Sequence, residues 1–299
     1  MTHQYIRSCT LLVSGAGGSG LDLSNMRIMF HVKKTDAQTP NTADIRIYNL
    51  APNTAQQIRD EFQAVTLQAG YEDNRGLIFT GNIKQVRMGR ENGTDTYVDI
   101  AAGDGDEAYN NSVLNTTLSA GATQADQINT AAKTLKGVER GHIADTGGAG
   151  LPRGKSLYGM TRDYMRQSTA ASGTSWSIQD GRLQVVSMTS VLPNQAVLLT
   201  GQTGLIGSPE QTNDGIRARC LLNPMLAVGG RVKIDSTDIS ETRISDDTEQ
   251  KPATISRDGV YRLLAVEHQG DTRGNDWYSA LICLDVDESA PADKQVKKT

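Results

Sequence analysis

Two stretches of this chain follow one plan. Residues 44–100 and 215–285 each run through a short β-type stretch, a Pro-containing turn, a second short stretch and a hairpin opened by glycine. The first reads DIRIYNLAPN, VTLQAGYED and GLIFTGNIKQVRMGRENGTDTYVDIAAGD; the second reads GIRARCLLNP, GRVKIDS and GVYRLLAVEHQGDTRGNDWYSALICLD. Aligning Ile45 with Ile216, Pro52 with Pro224, Gly76 with Gly259 and Tyr97 with Tyr278 keeps the order of elements while the loops differ in length. Short runs in which apolar and polar residues alternate specify half-buried strands. The duplication therefore calls for two similar β units. A repeated unit in a chain with little visible chemistry points to construction before catalysis.

Composition narrows the functional classes. At 299 residues the chain has room for about two or three compact units. Aromatic residues make up only 5% of it, so the cores are thin and each unit is expected to lean on its neighbours. A net charge of -4 provides no cluster of cations for gripping a nucleic-acid backbone. Cys9, Cys220 and Cys283 are too few and too far apart for a disulfide framework, which suits a reducing cytoplasm. No stretch approaches the ~20 apolar residues of a membrane span, so no direct membrane insertion is expected.

The pattern divides the chain into a mainly β fold with a smaller α+β part. Residues 1–105 read as a first β-barrel with one short helix, PNTAQQIRDEF, started by Pro52. Residues 106–190 read as a middle α+β domain. In it Thr123 caps a helix carrying Ala125, Ile128, Ala131, Ala132 and Leu135 and stopped at Gly137. A second amphipathic helix is expected over Leu157–Ala171, and Asp180-Gly181 marks a two-residue hairpin. Residues 191–288 read as the second barrel, interrupted by a polar excursion from Asp235 to Asp258 with seven acids and three bases. Residues 289–299 read as a disordered tail.

Four features could carry chemistry, and each has a structural competitor. Gly15–Gly20 spells GxGxxG after a β-type run, but the residues that follow, LDLSNMRIMFHVKK, alternate like a strand where a dinucleotide site needs a helix. Residues 149–156, AGLPRGKS, match a relaxed phosphate loop through Lys155, yet no buried parallel strand precedes them, and a surface loop is the default. His3, His31, His142 and His268 lack the close spacings of metal ligands. Asp104-Gly-Asp106 and Asp285-Val-Asp287 close the repeated hairpins in parallel positions, where turn chemistry accounts for Asp and Gly. No nucleophile elbow exists, and the sequons at Asn92, Asn110 and Asn115 have no export signal beside them. The expectation is a non-enzymatic chain with no catalytic residue, cofactor or metal.

The segments DIRIYNLAPNTAQQI, LQAGYEDNRGLIFTGNI, TGLIGSPEQTNDGIRARCLLNPMLAVGGRVKI and YRLLAVEHQGDTRGNDWYSALICLDV resemble the baseplate hub proteins of tailed bacteriophages. That group is related to the late control protein D of contractile tails and to the hub subunits of type VI secretion spikes. The resemblance covers most of the chain and is weakest between Asn110 and Ser156. It implies a homotrimer in the virion, assembled in the host cytoplasm, in which each chain supplies two tube-type barrels. The resulting ring of six would join a sixfold tail tube protein to a threefold spike protein, in contact with other baseplate proteins and the tape measure protein. DNA would pass through the lumen without specific binding, a role that an acidic protein suits. The chain ends soon after Asp287, so a separate spike is expected to do the piercing. A distal tail or tube adaptor ring is the structural alternative, and an enzyme using Lys155 the catalytic one. The exposed hairpin loops, with Arg90, Asn92 and Asp95 in the first copy and Asp271, Arg273 and Asp276 in the second, are the candidate interface residues.

Overall fold

A computed structural model describes residues 6–15, 20–193, 195–212, 215–235, 239 and 259–285. It is mainly β, with 53% strand and 14% helix. The first copy comprises β1 (Arg7–Gly15), β2 (Gly20–Asp22), β3 (Ile28–Thr35), β4 (Thr42–Tyr48), α1 (Pro52–Glu61), β5 (Phe62–Tyr71), β6 (Asn74–Arg90) and β7 (Thr96–Gly103). Strict alternation sets the faces: β3 buries Ile28, Phe30 and Val32 while His31 and Lys33 stay exposed. Pro52 opens α1 in its first turn, where a missing N–H costs no helical bond, and Ala55 and Ile58 turn inward.

The middle of the chain forms α2 (Asp106–Asn111), β8 (Val113–Leu118), α3 (Gln124–Ala132), β9 (Glu139–Ile143), β10 (Lys155–Met160), α4 (Thr161–Ala171), β11 (Thr174–Gln179) and β12 (Arg182–Ser187). Thr123 and Asp126 close a reciprocal capping box at the start of α3. The helix expected over Leu157–Ala171 begins only at Thr161. Residues 155–160 instead form a strand, because β8 lies antiparallel beside them and takes up their backbone groups from Lys155–Leu118 to Met160–Val113. Asp180 and Gly181 both have positive φ, 54° and 75°, as a tight two-residue hairpin requires. The parallel pairing of β12 with β9 adds a third strand that the pattern did not announce.

The second copy comprises β13 (Val197–Leu199), β14 (Leu205–Thr212), β15 (Gly215–Leu221), β16 (Arg231–Ile234), β17 (Val260–Asp271) and β18 (Trp277–Asp285). Its strand order, β13-β16-β17-β18-β15-β14, reproduces the order β1-β5-β6-β7-β4-β3 of the first copy. Register fixes the correspondence residue by residue. Tyr48 stands opposite Tyr97 and Leu221 opposite Tyr278, so Ile45 is equivalent to Ala218 and not to Ile216. A bulge falls in β6 between Ile83 and Gln85 and in β17 between Leu263 and Ala265, at matching positions. The same register makes Gly259 the counterpart of Phe79, so the correspondence with Gly76 fails; loops of different length had shifted it. Among the described residues of the second copy no helix replaces α1. The residues from Leu222 to Gly230 turn there without regular structure, burying Leu226 and Val228.

The two copies share one sheet. The second half of β17 pairs with β3 over seven positions, from Ala265–Thr35 to Asp271–Met29, while its first residues pair with β16. The path β14-β15-β18-β17-β3-β4-β7-β6 is antiparallel throughout, four strands from each copy. Three groups of buried apolar side chains lie behind and beside it. One is built around Ile28, Ile45, Phe79 and Ile100, another around Ile216, Tyr261 and Cys283, and a third around Trp176, Met165 and Ile128 in the middle unit. Trp277 of β18 crosses the boundary and joins the first of these. Residues 16–19 of the GxGxxG run, nearly all of the polar excursion from Asp235 to Asp258, Asp287 and the tail lie outside the described residues.

Candidate assembly surface

Alternation across the eight shared strands leaves one face polar. Opposed positions step across it in rows: Arg87, Asp99, Arg46 and Met29 form one, and Lys33, Glu267, Ala280 and Arg219 another. Arg46 holds Asp99 at 2.7 Å and lies over the Tyr97 ring at 4.1 Å. At the equivalent place in the second copy, Arg219 lies over Tyr278 at 3.4 Å, and Ala280 takes the position of Asp99. The Arg–Tyr stack is therefore duplicated while its acidic partner is not. Across the junction, Glu267 meets Lys33 at 3.4 Å and His31 at 3.6 Å. A groove of about 440 Å³ follows this face between His31, Arg46, Arg87, Asp99 and Gln269. Across the whole face the strands carry Arg46, Arg87, Lys33, Arg217 and Arg219 against Asp44, Asp99, Glu267 and Glu210, a nearly balanced set. The chain's excess of acid is thus not concentrated on the shared sheet.

The candidate loops differ in what they already do. In the first, Asn92 accepts the backbone N–H groups of Thr94 and Asp95 through its side-chain oxygen at 2.9 and 2.7 Å, and its amide donates to the Asp95 carboxylate at 2.9 Å. Asn49, itself at φ 54°, donates to Asp95 from across the sheet end at 3.0 Å. These bonds hold the Asp95 carboxyl below its ordinary range. The loop is exposed and tied together by these bonds, and Arg90 sits at its start. The second loop is engaged inside the chain. Asp271 is buried; it takes the Arg27 guanidinium at 2.7 Å and the Arg273 N–H at 2.9 Å. Asp276 supplies a backbone carbonyl to the Asp271 N–H at 2.8 Å, and Arg7 of β1 donates to the Gly274 carbonyl at 2.6 Å.

Among the described residues, none of the competing chemical motifs assembles a site. Lys155 sits in β10, six residues ahead of α4, with its ammonium over the Tyr164 ring at 5.5 Å and 3.5 Å from the Gln127 amide oxygen. A phosphate loop would aim its backbone N–H groups at the start of that helix, whereas these belong to the ladder with β8. Beyond Gly15 the chain continues into β2 and β3. Burial pushes the thiols of Cys9, Cys220 and Cys283 up to about 12, which removes the thiolate needed for reactivity. His268 is buried and bonded to the Ser279 hydroxyl at 2.8 Å, and burial, with Lys34 nearby, pushes its imidazole down to about 3. Among the described residues no three of His, Cys, Asp and Glu gather as metal ligands.

What the sequence did not announce is the polar seam docking the middle unit. The Lys34 ammonium contacts both oxygens of Asp180 at 2.6 and 2.7 Å. Asp104, fully buried, accepts the N–H groups of Asp180 and Gly181 at 2.6 and 2.9 Å. Asn41 donates to the Ile178 carbonyl at 2.9 Å, and Gln179 donates to the Thr35 carbonyl at 2.8 Å. Arg262 of β17 adds the carbonyls of Ser187 and Met188 at 3.2 and 2.7 Å. Burial raises Asp104 to about 6 despite these bonds. A carboxyl whose folded value is raised makes a stabilising contribution at low pH that is lost as pH rises through that value. We expect the unfolding free energy, measured against Asp104→Asn, to be about 1 kcal/mol larger at pH 5 than at pH 7. A difference that is flat with pH would show that Asp104 is ionised throughout.

These strands and seams have relatives. Residues 10–238 match the family model described as Baseplate hub gp41. The chain belongs to this baseplate hub family. It is thereby a structural tail protein, and its place is the virion. No curated protein matches the chain. Among solved structures, this hub-family chain is similar to the 43 kDa tail protein of prophage MuSo2 from Shewanella oneidensis, with a TM-score of 0.60 at 8% identity over 94% of this chain and 97% of that one. It is similar to a tail protein from Neisseria meningitidis, with a TM-score of 0.58 at 10% identity over 94% and 97%. An Escherichia coli type VI secretion component, described as resembling the T4 tail proteins gp27 and gp5, gives 0.52 at 9% identity over 88% and 74%. At these identities the likeness is one of fold.

Proposed function

We propose that this hub-family chain works as a homotrimer that adapts a sixfold tail tube to a threefold spike. The observation that carries the proposal is the repeated strand order, with both copies joined through one antiparallel path of eight strands. A sixfold surface can bury identical patches against a trimer only if each subunit presents two equivalent ones. On this reading residues 1–105 and 191–288 are the two tube-type barrels, residues 106–190 the middle domain docked by the Lys34–Asp180 seam, and 289–299 a tail. The polar face of the shared sheet lines the passage for DNA, where balanced charge and ion pairs already satisfied within the face hold phosphates no more firmly than water does. The loops at Arg90–Asp95 and Asp271–Asp276 lie at the sheet's rim, facing neighbouring components. Tube, spike, other baseplate proteins and the tape measure are the partners, brought together in the host cytoplasm.

Copy number tests it. Native mass measurement of the purified chain and imaging of the tail tip should give three copies. Six copies would replace the hub with a distal tail or tube adaptor ring.

A further inference from the structure

The duplication supplies its own control for one arginine. In the first copy Arg46 lies over the Tyr97 ring at 4.1 Å and is served by two carboxylates: Asp99 takes its Nε and Nη2 at 2.7 and 2.9 Å, and Glu91 stands at 3.6 Å. In the second copy Arg219 lies over the Tyr278 ring at 3.4 Å, and neither acid has an equivalent that reaches it. Register puts Ala280 opposite Arg219 where Asp99 stands opposite Arg46. Glu91 corresponds to Asp271, since each gives its N–H to the carbonyl of the matching loop acid, Asp95 or Asp276, but Asp271 is buried and holds Arg27. Glu267, next in the row beyond Ala280, is taken by Lys33 and His31 at 3.4 and 3.6 Å. Among the described residues Arg219 is therefore an exposed guanidinium with an aromatic floor and no carboxylate. We infer that Arg219 and Tyr278 form a carboxylate site, which an Asp or Glu side chain of a partner polypeptide fills as Asp99 fills its counterpart.

The surroundings prepare the site. The Tyr278 hydroxyl donates to the Gln269 side-chain oxygen, which fixes the ring under the guanidinium. Stacking occupies the flat face of an arginine and leaves its N–H edge free, so the planar fork can meet both oxygens of a carboxylate at once. Ala280, half-buried beside it, is too short to fill the room that Asp99 occupies in the first copy. Ile206 stands opposite Arg219 as Met29 stands opposite Arg46, and it is 41% exposed. An arginine stacked on a tyrosine beside an exposed aliphatic is the composition of a protein contact point. A carboxylate fits better than a phosphate because the filled version within this molecule takes a flat, two-oxygen group, and the balanced charge of the face gives a polyanion no further hold. On the trimeric reading a ring carries three open sites alternating with three filled ones, so a partner finds threefold marks on strands that repeat six times. That count rests on the trimeric reading, whereas the site belongs to each chain.

The full chain is titrated with a fluorescent octaglutamate peptide at about 0.15 M salt, where diffuse attraction is screened, and native mass is recorded on the same samples. One dominant site per chain is expected. Arg219→Gln and Ala280→Asp should each weaken binding roughly tenfold, the second by supplying the missing acid from within the chain. Ala280→Asn fills the same room without charge and should bind as the unaltered protein does. The double variant Asp99→Ala with Glu91→Gln opens the first copy's stack and should raise the bound peptides from one to two per chain. Unaltered affinity in Ala280→Asp overturns the site at any copy number, and equal losses in Ala280→Asp and Ala280→Asn overturn its assignment to charge. Displacement of the peptide by a short DNA duplex at equal charge concentration overturns the assignment to a polypeptide. A native mass other than three copies overturns only the threefold count.

Discussion

Replacing Trp277 with alanine should lower the unfolding free energy by about 3–5 kcal/mol, among the largest effects open to a single substitution in this chain. The ring is only 3% exposed and sits in the core of the first copy although its strand belongs to the second. It meets Phe30 edge-on with centroids 5.4 Å apart, lies under the Arg7 guanidinium at 5.6 Å and donates its indole N–H to the Gly70 carbonyl at 3.2 Å. Truncation removes all three contacts and opens a cavity where the copies meet. The damage should be felt by both copies, because β18 and the β3 junction depend on the same side chain. The other tryptophan, Trp176, lies in the middle unit and remains as a fluorescent reporter there. Trp277→Phe keeps most of the area and loses one hydrogen bond, at a cost of about 1 kcal/mol. A loss below that in the alanine variant, read by denaturant unfolding, would mean that the junction is carried by the strand ladder alone.

The second large effect is expected at the docking seam. Lys34→Met should cost about 2–3 kcal/mol, less than the roughly 3–5 found for fully buried pairs because Asp180 keeps 30% of its side-chain surface in contact with water. Lys34 itself is 5% exposed. Removing its charge leaves Asp180 and Asp104 close together with no cation between them, which raises the Asp104 carboxyl further. The variant should therefore recover stability as pH falls from 7 to 5, in the sense already given for Asp104. Adding Asp180→Asn should return part of the loss, since the uncompensated charge is the larger share of the penalty. Limited proteolysis offers a second readout: the β11–β12 hairpin should become the first site of cleavage. If it stays protected and stability falls by less than 1 kcal/mol, the seam is held by Asn41 and Gln179.

Much of the architecture was legible because it depends on local pattern. Alternation in MRIMFHVKK and TYVDIAA set the strands, Pro52 and Thr123 set two helix starts, and Asp180-Gly181 set a hairpin. Duplication gave the order of strands but not the residue equivalences, since gaps in a visual alignment are free to slide while a ladder is not. Leu157 misled for a related reason. Its apolar spacing suits a helix, and only a partner 41 positions earlier, Thr116 on the strand beside it, turns that segment into β structure. The docking seam was invisible. Lys34, Asn41, Asp104 and Asp180 are ordinary polar residues scattered over the sequence, and nothing short of tertiary contact distinguishes a buried lysine from an exposed one. The loop residues were chosen on an expectation of exposure, which Asp271 does not meet: it is buried and already committed to Arg27.

The β17–β3 ladder also has a mechanical meaning. Its hydrogen bonds lie across the strands, so a pull directed along β17 loads all seven registered positions at once, like a shear joint. A pull directed across the sheet opens the same bonds one after another, like a zip. The link between the two copies is thus strong in one direction and weak in the perpendicular one, and Trp277, seated at one end of the ladder, guards the place where unzipping would begin.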